Sequence, residues 1–206
     1  VDPNAIALMG HSMGGGVVID VAAELASSQP GAVKAVIGIA PWNGAKPTPS
    51  SVVSEVSTPI LLFCSMSDAL CPCSGPATIT DTQGPITQPA SIGIPILFGA
   101  DADPNWHGGT MAIYENATNA TLIEVKGVNH FTIAGTDGRH MQELATWATD
   151  RYGLNFNQPT RSYERIPTLQ YSVAFLYQHL KLRTSASMNV VSEAKKDGRI
   201  AKVLSK

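Results

Sequence analysis

Leu8-Met9-Gly10-His11-Ser12-Met13-Gly14-Gly15-Gly16 decides the reading of this chain, because Gly10-His11-Ser12-Met13-Gly14 has the spacing G-x-S-x-G. That spacing presents a serine hydroxyl on a sharp turn between a strand and a helix, where the strained backbone tolerates no bulk in its neighbours. Gly10 and Gly14 are expected to relieve the clash. The flanks fit this reading: Ile6-Ala7-Leu8-Met9 reads as a short buried strand, and residues 17–25 read as a helix that packs one face. Glycines cost a helix roughly 1 kcal/mol each relative to alanine. Close approach of helix to strand is therefore the expected reason for three in a row. Ser12 is the candidate nucleophile.

Outward from the turn, residues 35–40 form a continuous apolar run that reads as a buried parallel strand ending at Pro41-Trp42, and residues 58–63 and 94–98 read alike. Residues 72–93 are rich in Pro, Gly, Ser and Thr and read as loop or insertion. Residues 110–115 read as helix, and 121–125 as a strand leading to Gly127-Val128-Asn129-His130-Phe131. Residues 141–152 and 169–182 carry apolar side chains at helical spacing. The order strand, helix, strand predicts an α/β fold with a mainly parallel sheet over residues 1–182, followed by a loose, polar, Lys-rich tail at 183–206. Sites in such sheets lie at the carboxyl ends of the strands.

Composition narrows the partners. In 206 residues, 44% are hydrophobic and 15% charged, enough apolar material for one sizeable core. A net charge of −2 and a pI near 6.2 argue against nucleic acid as a partner and favour a small, weakly charged or apolar substrate. No run of eighteen apolar residues predicts a membrane span. Cys64, Cys71 and Cys73 lack the paired spacing of a zinc site, so no metal or cofactor is expected; at most one bridge forms, with Cys64 and Cys71 the candidate pair. The sequons Asn116-Ala117-Thr118 and Asn119-Ala120-Thr121 permit secretion.

A serine hydroxyl needs a base to take its proton and a third group to hold that base in the right tautomer. Five histidines compete. His11 is fixed inside the turn, His140 and His179 belong to helical segments, and His107 lies beside Trp106 in a loop. His130 follows the last strand candidate and completes the order nucleophile, acid, histidine, so it is the expected base. Two carboxylates follow strand candidates. Asp68 is preferred for its spacing after the Trp42 strand, and Asp103 is the alternative acid.

These segments resemble the cutinase-like polyester hydrolases of the α/β-hydrolase fold, a group that includes polyethylene-terephthalate hydrolases and dienelactone-hydrolase-like lipases. The resemblance covers about residues 1–182: the Gly10–Gly16 elbow, Ala40-Pro41-Trp42, Thr58 through Asp68 and Pro72, Gly127 to Phe131, and the helix containing Tyr171-Ser172-Val173-Ala174-Phe175-Leu176. It implies a serine carboxylic-ester hydrolase with Ser12 as nucleophile, His130 as base and Asp68 as acid. It also implies the Met13 N–H as an oxyanion donor and Trp42 as an aromatic wall for a small or polymeric ester. Gly99-Ala100-Asp101-Ala102-Asp103 is similar to the same family's acid turn, so that motif occurs twice. The family carries about half its sheet, and a second oxyanion N–H, ahead of the nucleophile strand. This sequence opens on that strand, and the expectation is the C-terminal part of such a sheet with an exposed edge. The alternative function is a non-catalytic module that binds a partner or self-associates through that edge.

Overall fold

Period-two alternation divides the side chains of each central strand between two cores, one on each face of the sheet. In β2 (Val33–Ile39), Ala35, Ile37 and Ile39 enter one core while Val36 enters the other. In β3 (Ile60–Cys64), Leu61 and Phe63 go one way, and Ile60, Leu62 and Cys64 the other. Burial on both faces is why these runs are apolar throughout instead of alternating with polar residues.

The computed structural model describes residues 5–42, 50–66, 68, 71, 73, 79–81, 84–86, 110–128, 130, 132–134, 167–180 and 188–206. The sheet order is β1 (Ile6–His11), β2, β3, β6 (Ala120–Val125), β7 (Ile200–Ser205). The first four run parallel, and β7 pairs antiparallel with β6. Helices α1 (Met13–Ser28), α2 (Ser50–Glu55) and α3 (Thr110–Asn116) lie on one face, and α4 (Pro167–His179) on the other, where α5 (Val190–Ala194) joins its core. This is the expected α/β fold, a mainly parallel sheet flanked by helices in which, among the described residues, β1 forms one edge. On that edge Ile6 and Met9 remain 39% and 47% exposed.

Three expectations are corrected. The segment 183–206 is not a loose tail among its described residues: α5 and β7 form there, because Val190, Ala194 and Ile200 bury apolar side chains in the core under α4. The insertion after Pro72 contains a short antiparallel pair, β4 (Ile79–Asp81) and β5 (Gly84–Ile86). Helix α1 starts at Met13, so all three glycines are helical. The expected strand at 94–98 and helix at 141–152 lie outside the described residues.

The glycines differ in what they do. A Cβ on Gly16 would lie 2.3 Å from the Trp42 carbonyl oxygen, and one on Gly15 would lie 2.9 Å from Pro41 Cα; around Gly14 nothing lies within 4 Å. Close approach of α1 to the end of β2 thus explains Gly15 and Gly16, while Gly14 relieves no clash of its own. Gly14→Ala is expected to hold or raise the melting temperature, by up to about 1 kcal/mol of helix propensity, whereas Gly16→Ala lowers it; a thermal melt of both variants checks this.

Tyr171 on α4 donates to Asp197 Oδ2 at 2.9 Å, and Arg199 clamps the same carboxylate through Nε and Nη2 while Nη2 also reaches Gln170 Oε1. These bonds fasten the start of β7 to α4. The Arg199 guanidinium is the main reason that the Asp197 carboxyl falls from 3.8 to about 2. The stabilisation from this carboxylate is therefore present above about pH 4 and fades as pH falls through about 2. Asp197→Asn should melt below the parent at pH 7, and the difference should close in melts approaching pH 2.

Candidate active site

Four parallel strands bring their carboxyl ends to one edge, and the candidate side chains rise from the ends of β1, β3 and β6. Ser12 follows β1 directly with φ 57° and ψ −125°, a backbone conformation that a non-glycine residue adopts only when its surroundings impose it. Those surroundings are hydrogen bonds: Ser12 N donates to Ile39 O at 3.0 Å, and Ser12 O accepts from Gly16 N at 3.1 Å and Trp42 N at 2.8 Å. The Ser12 hydroxyl does not cap α1. It donates instead to His130 Nε2 at 2.9 Å.

His130 is buried beyond the Gly127 turn that ends β6 (φ 65°), and its Nδ1–H donates to Asp68 Oδ2 at 2.8 Å. A carboxylate only accepts, so this bond assigns the proton to Nδ1 and leaves the Nε2 lone pair for the serine. Asp68 is buried; its other oxygen, Oδ1, accepts from the Cys71 amide at 2.8 Å, and its own amide donates to Ser65 O at 3.2 Å. Thus the structure brings Ser12, His130 and Asp68 into one hydrogen-bonded chain. Asp103, Trp106, His107 and His140 lie outside the described residues. His179 sits on α4, its ring 4.4 Å from that of Phe175 and its pKa lowered by burial.

Met13 is the first residue of α1, where a backbone N–H has no acceptor within the helix. Trp42 is half-buried, and its amide ties the end of the β2 strand to the serine turn. A cavity of about 510 Å³ lined by Pro59, Ile60, Phe175 and Lys195 lies at the opposite, amino ends of the strands, away from Ser12. Among the described residues no group of three metal-ligating side chains converges, and no helix is long and apolar enough to cross a membrane.

The bridge joins Cys64 to Cys73, not to Cys71. The reason lies in the two-sided core: Cys64 and Cys73 enter the core on the α1 face, while Cys71 enters the one under α4. The bridge closes a loop across a separation of nine residues that carries Asp68. Opening it with Cys73→Ser should cost about 2–3 kcal/mol, read as a lower denaturation midpoint. Sequence reasoning did not place Cys71 at the site. Burial, and then the Asp68 charge, push its thiol well above the usual range, offset in part by a hydrogen bond with the Ser12 side chain. It is a neutral thiol at ordinary pH, and the group that holds a base is Ser12. No sequence signal distinguishes this cysteine from its neighbours, because only the strand faces do.

Residues 1–81 match the family described as PETase, PET hydrolase-like. No curated protein matches the chain. Among solved structures it is similar to an acylaminoacyl peptidase in complex with Z-Gly-Gly-Phe-chloromethyl ketone, at 15% identity over 80% of this chain and 25% of that one, TM-score 0.40. It is also similar to Pyrococcus horikoshii acylaminoacyl peptidase, uncomplexed, at 14% identity over 78% and 26%, TM-score 0.40. The orthorhombic form of the same peptidase gives 14% over 81% and 27%, again 0.40. The chain spans about a quarter of the length of these structures. Residues 1–81, which contain Ser12 and Asp68, are thus similar to the PET hydrolase-like family, and the strands around them form a mainly parallel α/β sheet.

Proposed function

We propose that this chain is a hydrolase that cleaves carboxylic esters through an acyl-enzyme, with Ser12 as nucleophile, His130 as general base and acid, and Asp68 as the group that orients His130. The observation that carries the reading is the continuous relay of 2.9 Å from Ser12 Oγ to His130 Nε2 and 2.8 Å from His130 Nδ1 to Asp68 Oδ2. Ser12 Oγ attacks the ester carbonyl as its proton passes to Nε2, and the Asp68 carboxylate stabilises the imidazolium that results. Collapse of the tetrahedral intermediate breaks the C–O bond, and Nε2 returns the proton to the departing alcohol oxygen. Water then attacks the acyl group, gives a proton to Nε2, and releases the acid with Ser12 restored. The Met13 N–H at the helix start serves the developing oxyanion, and Trp42 serves as an aromatic wall.

The PET hydrolase-like match favours an aromatic or short acyl ester over a thioester or lactone. Release of nitrophenol from p-nitrophenyl butyrate by the purified chain, beside Ser12→Ala and His130→Ala, tests the reading. Activity in the parent that is lost in both variants supports it. A folded parent with no turnover across an ester, thioester and lactone panel overturns it and favours a module that binds or self-associates through the β1 edge, where Ile6 and Met9 are exposed.

A further inference from the structure

We infer that His11, the residue ahead of the serine, is a positioning residue that clamps the main chain of His130 and so fixes its distance to Ser12; the inference rests on the ester-hydrolase reading above. His11 Nε2–H donates to His130 O at 2.7 Å, and the two rings lie 4.7 Å apart with a 36° tilt. The next residue, Ser12, donates from Oγ to the His130 ring at 2.9 Å. Two consecutive residues therefore hold one histidine, at its carbonyl and at its imidazole. Both rise from the end of β1, where Gly10 and His11 are in register with Gly38 and Ile39 of β2. His130, by contrast, stands five residues past the last residue of β6, beyond the Gly127 turn. A loop of that length does not by itself define an atom's position to a few tenths of an ångström, and misplacement of about 1 Å costs on the order of 10²-fold in rate.

The chemistry of His11 suits the task. Donation to a carbonyl requires a proton on Nε2, which the neutral imidazole supplies in one tautomer. Burial first, and then the charge of His130, lower the His11 pKa, with Asp68 and the bond to the His130 carbonyl opposing them. A neutral His11 puts no second cation beside the imidazolium that His130 becomes during turnover.

The test separates the hydrogen bond from the ring. His11→Phe keeps an aromatic ring without a donor, His11→Leu removes ring and donor, and His11→Gln replaces the ring with an amide donor. With p-nitrophenyl butyrate, kcat should fall about tenfold in His11→Phe and His11→Leu with KM nearly unchanged, and His11→Gln should recover to within about threefold of the parent. Parent-like kcat in His11→Phe, or an equal fall in His11→Gln with unchanged thermal melts, overturns the clamp. A second readout does not need turnover: the low-field proton resonance of His130 Nδ1–H bonded to Asp68. Its loss in His11→Phe and His11→Leu and retention in His11→Gln supports the clamp even for a chain that hydrolyses no ester, and its persistence in all three variants overturns it.

Discussion

Asp68→Asn is expected to lower kcat for p-nitrophenyl butyrate by about 10⁴-fold while leaving the thermal melt close to the parent's. The size follows from a tautomer. Oδ1 accepts from the Cys71 amide and Oδ2 from His130 Nδ1–H. An asparagine in that place keeps its oxygen toward the Cys71 N–H, because two donors cannot face each other, and so turns its NH2 toward His130. Nδ1 must then accept, which moves the imidazole proton to Nε2, where it points at the Ser12 hydroxyl and leaves no lone pair to take a proton. The fold barely notices, since the substitution conserves shape within the loop held by Cys64 and Cys73. Steady-state kinetics with circular dichroism melts checks both halves, and a kcat within tenfold of the parent contradicts the role given to Asp68.

Gly10→Ala should act on the fold itself. A Cβ there would stand 2.1 Å from Gly14 O, 2.4 Å from Gly14 C and 2.8 Å from Gly15 N. All three are backbone atoms of the first turn of α1, which cannot swing aside as a side chain would. The helix must move off the strand, and the bonds from Gly16 and Trp42 to Ser12 O go with it. We expect a loss of about 3 kcal/mol or more, seen as a melting temperature lower by roughly 6–12 °C for a chain of this length. Ester turnover should disappear even below that temperature, since Ser12 loses the turn that aims it. A variant that melts with the parent would mean that the elbow has slack.

How much of this was legible before the structure depended on the range of the interaction. The strand, glycine turn and helix around Ser12 could be read because one local motif imposes all three. His130 and Asp68 could be chosen because apolar runs mark β3 and β6, and a parallel sheet sends their carboxyl ends to one edge. Gly14 was misjudged because its backbone is what a Cβ on Gly10 would strike, while a Cβ of its own would point into open space. The bridge partner of Cys64 was misassigned because spacing in sequence does not say which face of a sheet a cysteine enters. The last strand was missed because Ile200-Ala201-Lys202-Val203-Leu204-Ser205 sits in a Lys-rich context, and its stability comes from pairing with β6 and from the bonds of Asp197 to Tyr171 and Arg199.

The placement of β1 carries a consequence for heat. Among the described residues it has one neighbouring strand, β2, whereas β3 and β6 are each hydrogen-bonded on both sides. The serine therefore rides on one of the two edge strands, and its two partners follow strands paired on both sides. Opening free energies differ across a fold, and strands with fewer backbone partners open first. On warming, Ser12 should part from His130 while the interior of the sheet is still closed. Amide exchange at residues 6–11 should then outrun that at 60–64 and 120–125, and the temperature at which turnover fails should sit below the one at which the sheet melts.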